Sequence, residues 1–325
     1  MRVGLDVSPL DQTAAGTARY LESLETIDDV ELVRLAHHGR GRFDTVYRDA
    51  VWYPVVLPRL ARGERLDLLH CPTFRGPLVE PSCPLVVTVH DLAVLRHPET
   101  FNLWTRLYSR LCVSRVARAA RLLIAVSEHT KRDVVELLGV PEERIRVVPN
   151  GVADAFTPEG SAEAGDYVLA VGTIEPRKNL GRLAEATRRL GVELRVVGAP
   201  GWGRVELGPG VRRLGRVPDD ELARLYRGAR CLAYPSLYEG FGIPIVEAMA
   251  SGTPVVTSGG GATEEISGGA AVLVDPLDPA SIAAGIEEAS ARREELVRAG
   301  LQRARDFGWD EVARRTAEVY REAAA

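Results

Sequence analysis

Arg177 and Lys178 are adjacent cations inside the turn Gly172-Thr-Ile-Glu-Pro-Arg-Lys-Asn179. Gly172 and Pro176 shape that turn and a helical pattern begins at Leu180, so both cations stand beside the positive end of a helix dipole. Two cations at such a place suit a diphosphate, which takes charge-assisted hydrogen bonds from both. Of the 41 basic residues only Lys131 and Lys178 are lysines. The chain charges its surface with arginine, so a lysine inside a glycine- and proline-bounded turn marks a position calling for a compact point charge. Lys131 reads as an exposed helix charge. The second pair is Glu239 and Glu247, in the stretch Tyr234-Pro-Ser-Leu-Tyr-Glu-Gly-Phe-Gly242 and the helical pattern that follows it. Carboxylates at a strand-to-helix turn stay ionised at neutral pH and accept hydrogen bonds from vicinal hydroxyls. As bare spacing, the same pair is also what two solvated surface charges look like.

The elements around these residues explain their placement. An apolar run ending at Tyr234 predicts a buried strand, Pro235 and Ser236 stop it, and Gly240 and Gly242 permit a tight backbone. Pro244 suits the first turn of a helix; Gly252 and Pro254 end it before a strand opens at Val255. Further strand-like runs lie at Arg2 to Val7, Val30 to Leu35, Leu66 to His70, Leu85 to Val89, Leu122 to Val126, Ile145 to Val148, Tyr167 to Val171, Glu193 to Val197, Val211 to Leu214 and Ala271 to Val274. Helical patterns between several of them predict parallel sheets with crossover helices, an α/β fold. In such sheets ligands bind at the carboxyl ends of the strands. Gly16, between the first strand and an amphipathic segment from Ala18, fits a backbone cradle for an anion and equally a plain turn. His90-Asp91 closes a strand, and His90 is placed to meet a ligand or to be satisfied by nearby backbone.

Other stretches inform the organisation. The piece from His37 to Arg65 reads as irregular and is rich in arginine and aromatics, including Trp52 and Tyr53. After Phe101, Leu103, Trp104, Leu107, Tyr108 and Leu111 share a broad apolar face, and Arg106, Arg110, Arg115, Arg118 and Arg121 take the rest. That pattern predicts a core-packing helix with a solvated side, the other reading being an interfacial helix near anionic lipid. Ser127 reads as an N-cap. Periodicity vanishes from Ala153 to Asp166, which predicts a linker and two domains, 1–155 and 156–308, with a final helix from Trp309.

The chain has 325 residues, a net charge of −4 and four well-separated cysteines. Those totals fit a globular protein in a reducing cytoplasm and give no case for nucleic acid, a disulfide framework or a zinc site. No secretory leader or spanning helix is expected.

Taken together, His90-Asp91, Ser127-Glu-His-Thr130, Pro149-Asn-Gly151, the 172–179 turn, Pro235-Ser-Leu-Tyr-Glu-Gly-Phe-Gly242, Glu247-Ala248 and Gly252-Thr-Pro-Val255 resemble the group 1 (family 4) retaining nucleotide-sugar glycosyltransferases. The resemblance covers nearly the whole chain and, in motif, is nearest to GDP-mannose-dependent mannosyltransferases. It implies the GT-B fold, two facing Rossmann-like domains with a central cleft, and a terminal helix, 309–325, that crosses back to the first domain. It further implies that Arg177 and Lys178 bind the donor diphosphate and that Glu247 binds the ribose. Val217 would hold the base through its backbone, and Glu239 with the Phe241, Gly242 and Ile243 segment the sugar. From the first domain, His90 would touch the sugar and Gly16 approach the diphosphate. Ala18, where relatives often carry glycine, departs from the pattern near Gly16; Glu264-Glu265 departs from a common Pro-Glu.

The implied reaction moves a mannose-like hexose to a glycan or lipid-linked acceptor without a metal ion or cofactor, the nucleotide sugar being co-substrate. No Asp-x-Asp strand end is present to hold a metal. A cytoplasmic location with peripheral contact at the inner membrane face goes with it. Two other readings of the same residues are a nucleotide-sugar 2-epimerase and a non-catalytic nucleotide-sugar-binding protein.

Overall fold

A computed structural model describes residues 1–11, 16–39, 41–101, 103–203 and 205–325, with the side chain of residue 42 left aside. The chain divides into two compact units, Met1–Gly151 with Trp309–Ala325, and Val152–Gly308.

The first unit carries strands β1 (Arg2–Asp6), β2 (Glu31–Leu35), β3 (Leu68–Cys71), β4 (Leu85–Val89), β5 (Leu122–Ala125) and β6 (Ile145–Val147), in the order β2-β1-β3-β4-β5-β6. All neighbours are parallel. β3, β4 and β5 are buried along their whole length, as expected where helices cover both faces. Leu69, Val87 and Leu123 join one core with Trp52, Leu57 and Val116. Leu68, Val86 and Ile124 join the other, with Tyr20, Val319 and Tyr320. Alternate residues of one strand feed opposite faces because the side-chain period of a strand is two.

The second unit carries β7 (Tyr167–Val171), β8 (Glu193–Val197), β9 (Val211–Gly215), β10 (Leu232–Tyr234), β11 (Val255–Ser258) and β12 (Val272–Val274), in the order β12-β11-β10-β7-β8-β9. The chain runs outward from β7 through β8 and β9, then returns to place β10 on β7's other side. The order therefore reverses between β7 and β10, and the carboxyl ends at such a reversal are where open α/β sheets bind ligands.

Two expectations from the sequence need correction. The segment from His37 to Arg65 is largely helical, with Arg42–Tyr47, a π-helical stretch Arg48–Val56 and Leu57–Gly63. The π turn sets the buried Trp52 and Leu57 five positions apart, which erases a 3.6-residue period, and Pro54 inside it reads as a breaker. The stretch from Ala153 to Asp166 is no free linker. Phe156 is buried, with its ring 5.8 Å from that of Tyr226, and Arg227 donates to the Ser161 and Thr157 carbonyls at 2.8 and 3.1 Å. The second unit accordingly starts at Val152, which bridges to Gly308.

The terminal helix Trp309–Ala324 packs on the first unit, where a buried polar chain holds it. Tyr320 Oη lies 2.7 Å from His70 Nδ1, His70 Nε2 lies 2.9 Å from Thr88 Oγ1, and Thr88 Oγ1 lies 2.8 Å from Tyr20 Oη. Burial, with a smaller effect of the nearby His90, pushes the His70 pKa down to about 3, so the imidazole stays neutral. Among the described residues no helix is long and apolar enough to cross a membrane.

Tyr320→Phe keeps the ring packing and removes the hydroxyl, which leaves His70 Nδ1 buried without its partner. A loss of about 1–3 kcal/mol is expected for the first unit in urea unfolding, and an unchanged midpoint would show that this chain of bonds adds nothing.

Candidate active site

The loops that leave β7 and β10 meet at the point of order reversal. The β7 loop closes in a 3-10 turn, Pro176–Lys178, that presents Arg177 and Lys178 side by side. The β10 loop presents Glu239, and the Leu237 N–H donates to the Arg177 carbonyl at 2.9 Å. Asn179 takes a left-handed conformation, φ 57°, and its amide donates to the Pro235 and Pro276 carbonyls at 3.0 and 2.6 Å. Asn179 thus ties together the segments after β7, β10 and β12. It occupies the N-cap position of the helix Leu180–Leu190, but its side chain makes no cap bond. Behind this turn, Gly198 at the end of β8 lies so close that a Cβ there would sit 2.0 Å from the Gly172 carbonyl oxygen. Only glycine allows these two strand-end loops to touch.

Each Glu239 oxygen serves one cation. Lys178 Nζ donates to Oε1 at 2.6 Å, and Arg177 Nη1 donates to Oε2 at 2.9 Å. Arg177 also donates from Nη2 to Glu175 Oε1 at 2.8 Å and from Nη1 to the Tyr238 carbonyl at 2.8 Å. Lys178 reaches the Tyr234 hydroxyl at 2.7 Å and stands 4.9 Å from the centre of that ring. The Arg177 and Lys178 side chains keep only 12% and 13% of their exposure, and the Glu239 side chain 7%. Burial pushes the Glu239 pKa up, but the Arg177 and Lys178 charges and the Lys178 hydrogen bond outweigh it and hold the carboxyl at about 2. Magnitudes explain the outcome: a unit charge at about 4 Å contributes on the order of 4 kcal/mol at an effective dielectric of ~20. One such partner roughly offsets the several kcal/mol needed to desolvate a carboxylate, and two exceed it. Lys178 is lowered by burial, and the nearby Arg177 charge acts in the same direction against the Glu239 contribution. Burial raises Glu175. The site is thus a desolvated cluster of two cations and two acids, able to hold an anion or to stabilise negative charge that develops there.

Glu247 lies in the helix Ile243–Ala250 and is 2% exposed; its Oε2 accepts from the Tyr226 hydroxyl at 2.9 Å. That helix starts from Gly242, whose φ of 100° suits glycine, with Pro244 in its first turn. Phe241 is buried with its ring 5.6 Å from Phe307 in an edge contact, so its side chain is structural. Ile243 is half-buried, as is Val217, just past β9.

The remaining candidates belong to the first unit. His90 follows β4; its Nε2 lies 3.0 Å from the Pro72 carbonyl oxygen, and the ring meets Tyr20 edge-on at 5.0 Å. Burial lowers its pKa, so it is neutral, with Nε2–H as the donor to Pro72. Gly16 opens the helix Gly16–Leu24, while residues 12–15 of the proposed cradle lie outside the described residues. The structure therefore brings Arg177, Lys178 and Glu239 into direct contact, and sets Glu247 on Tyr226. Among the described residues no group of three or more His, Cys, Asp or Glu side chains is placed to hold a metal.

Glu175, Tyr234 and Tyr226 were missed as members or supports of the site. Glu175 carried a readable signal, an acid two residues before a cation in a turn closed by proline. Tyr234 and Tyr226 sit among apolar residues and gave none.

A folded pKa of about 2 for Glu239 lies below the unfolded value of about 4.3, so its contribution to stability is complete above about pH 4.3 and is lost as pH falls towards 2. Glu175, raised in the fold, acts with the opposite sign and remains in both proteins. The difference in thermal midpoint between wild type and Glu239→Gln is expected to be largest near neutral pH and to shrink across that acid window. A difference constant with pH would mean that Glu239 is not an ionised partner.

Comparisons with known proteins agree with this geometry. Residues 165–292 match the model for glycosyl transferases group 1, and residues 13–156 match that for glycosyltransferase family 4. The O-antigen chain mannosyltransferase B of Escherichia coli is 32% identical over 265 residues, which is 73% of this chain and 70% of that protein. An MMP α-(1→4)-mannosyltransferase of Mycolicibacterium hassiacum is 34% identical over 272 residues, 74% of this chain and 66% of that protein. Sucrose-phosphate synthase from Thermosynechococcus elongatus shares the fold at a TM-score of 0.82 and 19% identity, covering 99% of this chain and 98% of that one. The Anabaena protein HepE, solved with UDP-glucose, does so at 0.73 and 19% identity, covering 99% and 100%. The fold is the GT-B type. By its two matched models and its identity to the Escherichia coli protein, the chain belongs to the group 1 glycosyltransferases.

Proposed function

We propose that the chain transfers a hexose, mannose by preference, from a nucleotide-diphosphate sugar to a glycan or lipid-linked acceptor, with retention at the anomeric carbon. The observation that carries this reading is the convergence of Arg177 and Lys178 on one carboxylate where the loops after β7 and β10 meet. A side-chain pair that draws both oxygens of an acid to itself is set to draw the oxygens of a diphosphate. As the bond from the anomeric carbon to the diphosphate oxygen breaks, negative charge grows on the leaving group, and fixed cations stabilise it without a metal ion. The acceptor oxygen bonds to the anomeric carbon from the same face, and its proton passes to the departing phosphate oxygen. Glu239 then acts by holding the two cations and the sugar in register, and is not assigned as a nucleophile. Glu247, fixed by Tyr226, accepts from the ribose hydroxyls, and the backbone at Val217 receives the base. Phe241, Gly242 and Ile243 offer amides to the sugar; His90 and Gly16 are the candidates of the first unit.

Mannose as the transferred sugar is supported by the names of the two relatives above. GDP as the carrier is supported by the motif likeness, and the UDP-glucose bound by HepE keeps uridine in view. We place the protein in the cytoplasm, in peripheral contact with the inner face of the membrane. The family match is to transferases, and no feature of the site favours an isomerase or a binding-only protein.

Lys178→Ala is expected to lower kcat by more than ~10²-fold, the scale for losing one transition-state donor; turnover near that of wild type would defeat the assignment. A thermal-shift screen of GDP-, UDP-, ADP- and dTDP-sugars is expected to raise the midpoint most with GDP-mannose, because ligand that binds only the folded state stabilises it. A larger rise with another nucleotide would reassign the donor.

A further inference from the structure

Residues 101–127 contain five arginines, at 106, 110, 115, 118 and 121, and no aspartate or glutamate. Within them the helix Leu103–Tyr108 continues into a π-helical turn, Ser109–Val113. One side of this segment is anchored. Tyr108, Ser109 and Val113 are buried, Trp104 Nε1 donates to Asp49 Oδ2 at 3.0 Å, and Arg75 stands 5.4 Å from the centre of the Tyr108 ring. The other side is apolar and open: Leu103 is 78% exposed, Leu107 49% and Leu111 52%, with Arg106 and Arg110 exposed among them. The expected core-packing helix is thus only half realised, since three of its leucines face outward.

We propose that this face docks on an anionic lipid surface, with the leucines entering the headgroup boundary and Arg106, Arg110 and Arg115 meeting lipid phosphates. Leucines alternating with arginines on one anchored helix face meet both demands of such a surface, apolar depth and positive charge. Arginine stems reach along the apolar strip while their guanidinium groups stay in the polar layer. A second copy of this chain is a poorer occupant, because it would set one acid-free arginine cluster against another. The inference deepens the reading of a lipid-linked acceptor by naming the surface that brings the chain to it.

The test is sedimentation of the full chain with vesicles of phosphatidylcholine alone and of phosphatidylcholine mixed with phosphatidylglycerol. Binding is expected only to the anionic vesicles and is expected to weaken with salt, as screening shortens the reach of the arginines. Leu107→Glu with Leu111→Glu, and separately Arg106→Glu with Arg110→Glu, should each lower the partition by more than about tenfold. All four positions are exposed, and an unchanged circular dichroism melt will confirm folding. Equal binding to both vesicle types, no binding, or full binding by either variant would overturn the proposal, as would self-association abolished by the same substitutions without vesicle binding. Donor hydrolysis without vesicles reports the transferase reading alone and is expected to be unchanged in both variants. Failure of one reading is thereby separable from failure of the other.

Discussion

One carboxylate shared between two cations is the constraint around which the second unit is arranged. Glu239 can serve Arg177 and Lys178 together only because β7 and β10 are neighbours, which in turn requires the chain to lay β8 and β9 on one side of β7 before returning to the other. The supporting bonds follow the same demand. Asn179 ties three strand-end segments, Leu237 binds the Arg177 carbonyl, and Ser258 Oγ donates to the Ser236 carbonyl at 2.6 Å. None of these groups is a member of the cation–carboxylate cluster itself. Each removes a freedom that would let the cations part from their acid.

The cluster is also electrically balanced. Arg177 and Lys178 face Glu175 and Glu239, so the four side chains sum to zero when all are charged. Burial makes that balance necessary, since an unmatched ion in such surroundings costs several kcal/mol. A dianionic ligand entering there meets cations already engaged by acids. It must share them, and the amides at the start of the helix Ile243–Ala250, with that helix's dipole, offer additional positive potential. Glu175 is the acid best suited to yield, because burial raises its pKa while Glu239 is held low.

How far the sequence could be read depended on whether a residue's task was local. The buried strands were legible within a residue or two, because apolar runs between glycine and proline carry their own signal, and the 172–179 and 234–242 turns were legible because few residue types tolerate such backbone. The segment around Trp52 was not, since a π-helical turn and Pro54 disguise a helix that tertiary burial stabilises. The linker reading failed for a related reason: the stretch after Ala153 is polar in composition, yet Phe156 and the bonds from Arg227 fasten it to the second unit. Asn179 sits at a helix N-cap position, yet its task, a tie between distant loops, leaves no local pattern to read.

The bond from His70 to Tyr320 joins residues 250 positions apart. Val312, Ala313, Ala317 and Val319 likewise enter a core whose members outside that helix lie before Gly151. On the ribosome, which releases a chain at roughly 5–20 residues per second, the second unit is contiguous and can close as soon as its last strand and helices emerge. The first unit must wait, with part of one sheet face bare, until the helix that follows the second unit emerges to cover it. Of the two units, the one begun first is finished second, and its exposed face is what a chaperone would meet in the interval.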